Sequence, residues 1–138
     1  NRVRRQRQMC IRDRHIAWWI SNKVDKYLLI GDSNLPEVYF WVKEWVIDNK
    51  GYITAGWFRA STNIPFTSIL KILEWQIKFY TQKLPGYIWI ATIKESNKAA
   101  IAINRRFGFV DASKESIKLL PIIFPGTNQS FKVLEKRI

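Results

Sequence analysis

Apolar and polar positions change their spacing several times along the chain, and each change marks an element. In residues 37–48, Val38, Phe40 and Val42 alternate with Tyr39, Trp41 and Lys43, the two-residue period of a strand with one buried face. Asp48-Asn49-Lys50-Gly51 supplies turn chemistry and residues 52–59 read as another strand, so the two form an antiparallel hairpin. Upstream, residues 26–31 are a short apolar run closed by Gly31-Asp32-Ser33-Asn34, a strand and its turn. Residues 60–64 are a polar loop leading to Pro65, which is favoured in a first helical turn. Beyond it the period becomes three and four. Ile69, Leu70, Ile72, Leu73, Ile77, Phe79 and Tyr80 make a broad stripe, Lys71, Glu74, Lys78 and Gln82 fall mostly outside it, and Leu84-Pro85-Gly86 ends the helix.

Residues 87–93 are almost wholly apolar, as in a strand buried on both faces. Ser96 or Asn97 caps a second helix, with Ala100, Ile101, Ile103, Asn104 and Phe107 on related faces and Gly108 at its end. Extended structure resumes at 109–112, residues 117–124 are apolar but broken by Pro121, and Pro125-Gly126-Thr127-Asn128 turns into a last strand over 130–136. Near the start, Ile16, Trp19, Ile20 and Lys23 fit a short amphipathic helix, although Trp18-Trp19-Ile20 equally fits the start of a strand. This order predicts an α/β (α+β) fold, a mixed sheet with helices on its faces.

Composition narrows the picture. A chain of 138 residues with 47% hydrophobic and 14% aromatic content has enough apolar side chains for one compact domain, which excludes wholesale disorder. No apolar run approaches the roughly 18 to 20 residues of a membrane span, and a cytoplasmic location is expected. Cys10 is the only cysteine, so an intrachain disulfide and a cysteine zinc site are excluded, and no metal is expected.

The net charge of +12 raises nucleic-acid binding as a class. Residues 1–14 hold six arginines against Asp13 alone, a net +5, so much of the excess sits in one segment. With Met9-Cys10-Ile11-Arg12-Asp13-Arg14 behind an Arg/Gln run, this segment resembles translated sequencing-adapter read-through and is expected to be a foreign or disordered leader; a natural basic tail is the alternative. Residues 15–138 are then the domain.

The stretch from Asn97 to Phe109 resembles the last motif of the GNAT acetyltransferases. In that family Asn and Ala three residues apart open a helix, a Tyr follows four residues after the Ala, and Gly-Phe closes it; Asn97, Ala100, Gly108 and Phe109 stand in those places. The order of strand, loop, amphipathic helix and strand before it also fits, so the resemblance covers residues 37–138. It implies a mostly antiparallel sheet in which strands 52–59 and 87–93 run parallel and splay apart around the pantetheine arm of acetyl-CoA, the co-substrate. The loop 60–66 would hold the pyrophosphate at the start of the long helix, where unpaired N–H groups and the dipole favour anions. It also implies an opening strand and helix, for which the residues between Arg14 and Tyr27 leave room only for a remnant.

The acyl-CoA contacts so implied are Trp57, Phe58, Arg59, Ser61, Thr62, Asn63, Thr67, Ser68, Asn97, Ala100, Asn104 and Arg106, with Arg105 beside the last. Two departures stand out. Arg59-Ala60-Ser61-Thr62-Asn63-Ile64-Pro65-Phe66 lacks the glycines that let a backbone approach phosphate, and Asn104 replaces the Tyr that protonates the departing thiolate. Tyr80, Tyr87 or water would have to replace that acid, and Glu44 or Asp48 would act as base through water.

Each residue also has a structural explanation. Asn97 is a preferred helix cap, Arg105 and Arg106 suit a helix C-terminus, His15 is a packing or solvated side chain, and Trp41, Trp45, Trp57, Trp75 and Trp89 read as core rather than as a base-stacking surface. Three functional classes follow in order: an N-acetyltransferase in which an amine attacks the thioester directly, with strand amides near Trp57 and Phe58 stabilising the oxyanion; a catalytically inactive GNAT-fold structural or virion-associated protein, as in the small GNAT-like proteins of tailed phages that this chain resembles; and, last, a basic nucleic-acid-binding module. The acceptor and the oligomeric state are not legible.

Overall fold

A computed structural model of the chain describes residues 24–138. The expectations for the leader 1–14, Cys10, His15, the short helix ending at Lys23 and the opening elements lie outside the described residues.

The alternation at 37–48 becomes a strand, and Val38, Phe40 and Val42 are its buried face. In sequence order the strands are β1 (Asp25–Ile30), β2 (Pro36–Ile47), β3 (Lys50–Arg59), β4 (Ile88–Lys94), β5 (Val110–Asp111) and β6 (Phe131–Arg137). The described helices are α1 (Phe66–Lys83), α2 (Lys98–Arg106), α3 (Lys114–Lys118) and α4 (Leu120–Ile123). One sheet of order β1-β2-β3-β4-β6-β5 results, antiparallel except between β3 and β4. This is the expected mixed, mostly antiparallel α+β architecture.

Between β2 and β3 the turn needs only Asp48 and Asn49, both left-handed at φ 51° and 63°. That is the two-residue type I′ geometry whose twist matches the flanking strands, so Lys50 and Gly51, expected in the turn, already belong to β3. Pro65 likewise sits one position before α1, in extended conformation at ψ 149°. Gly86 and Gly108 hold φ 85° and 93° after α1 and α2, the left-handed positions glycine adopts without a Cβ clash.

The connections β3-α1-β4 and β4-α2-β5 step the same way across the sheet, and right-handed crossovers place α1 and α2 on one face. Under them Val42, Ile53, Tyr80, Trp89, Phe109 and Leu134 form the central core. The opposite face packs Tyr52 and Ile90 against Ile123, with Leu119, Leu120 and Phe124 around them. That cover comes from residues 114–123, where the sequence shows only a broken apolar run. Ser113 caps α3 through the Ser116 amide, and Pro121 falls in the first turn of α4, where a missing N–H does no harm.

α1 also differs in detail from its predicted stripe. Its buried positions are Ser68, Ile69, Ile72, Gln76 and Tyr80, while Phe79 lies outside, stacked on Trp75 with ring centroids 4.9 Å apart. The tryptophans do not form one stripe. Trp89 is core, Trp45 donates to Thr54 Oγ1 at 3.0 Å, and Trp57 and Trp75 are exposed.

Candidate functional site

β3 and β4 are paired only at Tyr52 with Ile88 and Ile53 with Trp89. Up to that point large side chains seal the strands: Trp89 packs edge-on against Tyr80 and Phe109, with centroids 6.3 and 5.9 Å away. Beyond it β3 carries Ala55 and Gly56, β4 carries Ala91, and the strands part. Each keeps its outer partner, β2 or β6, so the split leaves two inner strand edges facing each other.

The resulting cleft has a volume of about 350 Å³ and lies beneath α1 and α2. Ile69, Ile72, Leu73 and Gln76 line it from α1, Asn97, Ala100, Ile103 and Asn104 from α2, and Phe124 reaches it from α4. The lining is largely apolar. Lys94 is its one ionisable side chain among the described residues.

Of the expected acyl-CoA contacts, Trp57, Asn97, Ala100 and Asn104 line this cleft. Arg59 ends β3, and Ser61, Thr62 and Asn63 follow it in an exposed loop leading to α1. Thr67 is exposed in the first turn of α1, a helix with no side-chain cap and no acidic residue in that turn. Phe58 is stacked on Tyr39 at 5.0 Å, and the Arg59 guanidinium lies 3.5 Å from the Ile64 carbonyl oxygen.

Ser68 and Arg106 are placed less favourably. Ser68 is buried and donates from Oγ to Glu37 Oε2 at 2.6 Å, so its hydroxyl hydrogen is already used and a carboxylate stands at the helix start. Arg106 lies in the last turn of α2, about 12 Å of helix from its N-terminus, and does not line the cleft.

None of the four candidate acids and bases lines the cleft. Glu44 sits 3.8 Å from Lys83 Nζ and pairs with Ile53 at the sealed end, and Asp48 is a hairpin turn residue. Tyr87 precedes the first paired residue of β4 and packs over Gly51, where a Cβ would meet its ring. Tyr80 is fully buried, shares a 2.6 Å hydrogen bond with Tyr27 Oη and donates to Asp25 Oδ2 at 3.1 Å. Burial first, and then the Tyr27 hydrogen bond, hold its hydroxyl far above the ordinary tyrosine range, which keeps it protonated and structural.

Around that tyrosine, Asp25 also accepts from Lys83 Nζ at 3.3 Å. Partial desolvation opposes the charge on Lys83, but the hydrogen bond and charge of Asp25 prevail and raise its pKa. The two helix-opening contacts of α2 are met locally: Asn97 Oδ1 accepts from the Ala100 amide at 3.2 Å, and Asn104 Nδ2 donates to the Ala100 carbonyl at 2.8 Å. Asn97 thus caps the helix while lining the cleft.

The inventory of acyl-CoA contacts omitted Gln76. It is 2% exposed, and its Nε2 is the only buried side-chain polar atom without a hydrogen-bond partner among the described residues. Its signal was spacing: Ile69, Ile72, Gln76 and Tyr80 recur at three and four, so the amide falls on the inner face. Ala55, Gly56 and Ala91, small residues in bulky strands, were the corresponding signal in the sheet.

No family profile matches the chain, and no curated protein matches it. Solved structures do share its fold. A domain from Methanocaldococcus jannaschii DSM 2661 superposes with a TM-score of 0.65 at 15% identity, covering 91% of this chain and 75% of that one. An acetyltransferase from Agrobacterium tumefaciens str. C58 superposes with a TM-score of 0.51 at 13% identity, covering 88% and 66%. A GNAT-family acetyltransferase from Listeria monocytogenes 4b F2365 gives 0.43 at 13%, covering 80% and 63%. The described chain therefore shares the fold of the first two of these structures, and its mixed, mostly antiparallel sheet is the architecture expected of a GNAT-like chain. No described helix is long and apolar enough to cross a membrane.

Proposed function

We propose that residues 15–138 form an acyl-CoA-binding domain that transfers an acetyl group from acetyl-CoA to an amine. The observation that carries this reading is the parting of β3 and β4 beyond Ile53 and Trp89, beside the uncapped start of α1. A strand-like pantetheine arm fits there, because two unpaired strand edges offer N–H and C=O groups and the lining is otherwise apolar. The start of α1, with Ser61, Thr62, Thr67 and Arg59 near it in sequence, would receive the phosphates despite having no glycine in its loop.

Acetyl-CoA supplies an acyl group already activated as a thioester. What the chain contributes is position, exclusion of water by the apolar cleft, and strand amides for a developing oxyanion; the amides near Trp57 and Phe58 lie toward the phosphate end, so those of the open β3 edge nearer Ile53 would serve. The lining holds no carboxylate, imidazole or phenol among the described residues, so the amine would attack in its free-base form, and water would serve for proton transfer. Asn104, bound to the Ala100 carbonyl, would hold the helix turn and not act as an acid.

Calorimetric titration with acetyl-CoA tests the reading, alongside thiol release in the presence of a panel of amines. Saturable binding with amine-dependent release of CoA is the expected result. Binding without release assigns the fold to a catalytically inactive protein; no binding at millimolar acetyl-CoA overturns the acetyltransferase reading and leaves an inactive structural or virion-associated protein. Cytoplasmic action follows from the availability of acetyl-CoA there.

A further inference from the structure

We infer that Gln76 is a ligand-binding residue whose side-chain amide donates a hydrogen bond to the acyl carbonyl oxygen of the bound thioester, an assignment that rests on the acyl-CoA reading of the cleft. A buried amide without a partner is unfavourable, and proteins leave few of them. Gln76 holds one in an otherwise apolar wall, between Ile72 and Tyr80 on the inner face of α1. Packing alone does not call for an amide, since leucine or methionine fills such a position without an unmatched donor. A ligand acceptor supplies the missing partner.

Depth identifies the acceptor. Gln76 lies ten residues from the start of α1, about 15 Å along its axis, and one turn before Tyr80, which packs on Trp89 where the strands close. With phosphates at the helix start, the part of the ligand that reaches this depth is its acyl end. The terminal torsion of a glutamine is broad, so the amide turns toward a carbonyl without a change of rotamer along the stem. A donor here discriminates an acyl thioester from the free thiol, which presents no carbonyl at that point.

The test is titration of wild type and Gln76→Met with acetyl-CoA and with CoA, together with thermal unfolding of both free proteins. Gln76→Met is expected to bind acetyl-CoA about tenfold more weakly, with CoA affinity unchanged, and to melt no lower than wild type because the unmatched amide is gone. Equal affinities for acetyl-CoA in the two proteins, or the same loss for both ligands with a lowered Tm, overturn the assignment and leave the cleft reading standing. Failure of the wild type to bind acetyl-CoA overturns both. If the variant does not fold, the side-chain NH₂ resonance of Gln76 in wild type decides: a shift with acetyl-CoA that CoA does not reproduce supports the assignment, and its absence overturns it.

Discussion

The two ends of the β3–β4 seam are built from opposite materials. At the closed end Ile53 and Trp89 pair, and Tyr80 and Phe109 pack on them; at the open end the strands part, and the small Ala55 and Ala91 line a cleft of about 350 Å³ while Gly56 makes room for the Trp41 ring. Large interlocking rings maximise burial, whereas small residues give up that burial and retain space. One strand pair thus carries stability at one end and a candidate binding function at the other. Substitutions at the two ends should therefore fail in different assays.

Trp89→Ala gives the largest effect. It removes a nearly fully buried ring that contacts Tyr80 and Phe109, and a loss of about 3 to 5 kcal/mol in chemical denaturation is expected. A loss under 1 kcal/mol would mean that the closed end is not the clamp. Ala91→Leu acts on the other half of the contrast. Its added carbons enter the cleft, so acetyl-CoA binding is expected to fall at least tenfold while stability changes by less than about 1 kcal/mol. Unchanged binding would separate the cleft from the function proposed for it.

Tyr80→Phe asks whether the closed end contributes chemistry as well as packing. Loss of the hydroxyl deprives Tyr27 and Asp25 of a partner and should lower stability by about 1 to 2 kcal/mol, with acetyl transfer unaffected. The raised pKa of Tyr80 adds a pH signature. Stability contributed by its neutral hydroxyl is fully present below the unfolded value of 10.0 and is lost as pH rises toward the folded value, so alkaline destabilisation should be weaker in the variant. A collapse of turnover in Tyr80→Phe would restore it as a catalytic acid.

The sequence made the strands and long helices legible because one face of each is wet and the other buried. Val38, Phe40 and Val42 declare a two-residue period, and Ile69, Ile72 and Tyr80 declare three and four. Residues 114–123 were illegible as helices because segments of five and four residues are too short to show a period. For the site, the motif from Asn97 to Phe109 located the helix that lines the cleft, and the two strands that part were named in advance. The candidate acids and bases Glu44, Asp48, Tyr80 and Tyr87 all fall outside the cleft, because residue type and strand membership do not tell which end of a splayed pair a side chain occupies. Gln76 was passed over because a polar residue in an apolar stripe reads as an edge position, although its spacing placed it inside.

α2 repeats the contrast within one helix. At its start Asn97 lines the cleft and caps the helix; Asn97→Ala should lower stability by about 1 kcal/mol, and Asn97→Asp, which keeps the cap, should restore it. If acetyl-CoA binding falls in both variants, the side chain also meets the ligand. At the other end Arg105 Nη2 and Lys132 Nζ lie 2.7 and 3.1 Å from Asp111 Oδ1, tying the helix to β5 and β6 away from the cleft. The hydrogen bond from Arg105, then that from Lys132, lowers the Asp111 pKa below 3.8. The sign follows directly: this stabilisation is present above the unfolded value and disappears as pH falls through the folded one. Asp111→Asn should be slightly less stable than wild type at pH 7, converge with it in acid, and bind acetyl-CoA as wild type does. These exposed charges are screened by water, so this is the smallest effect of the series, and salt should shrink it further.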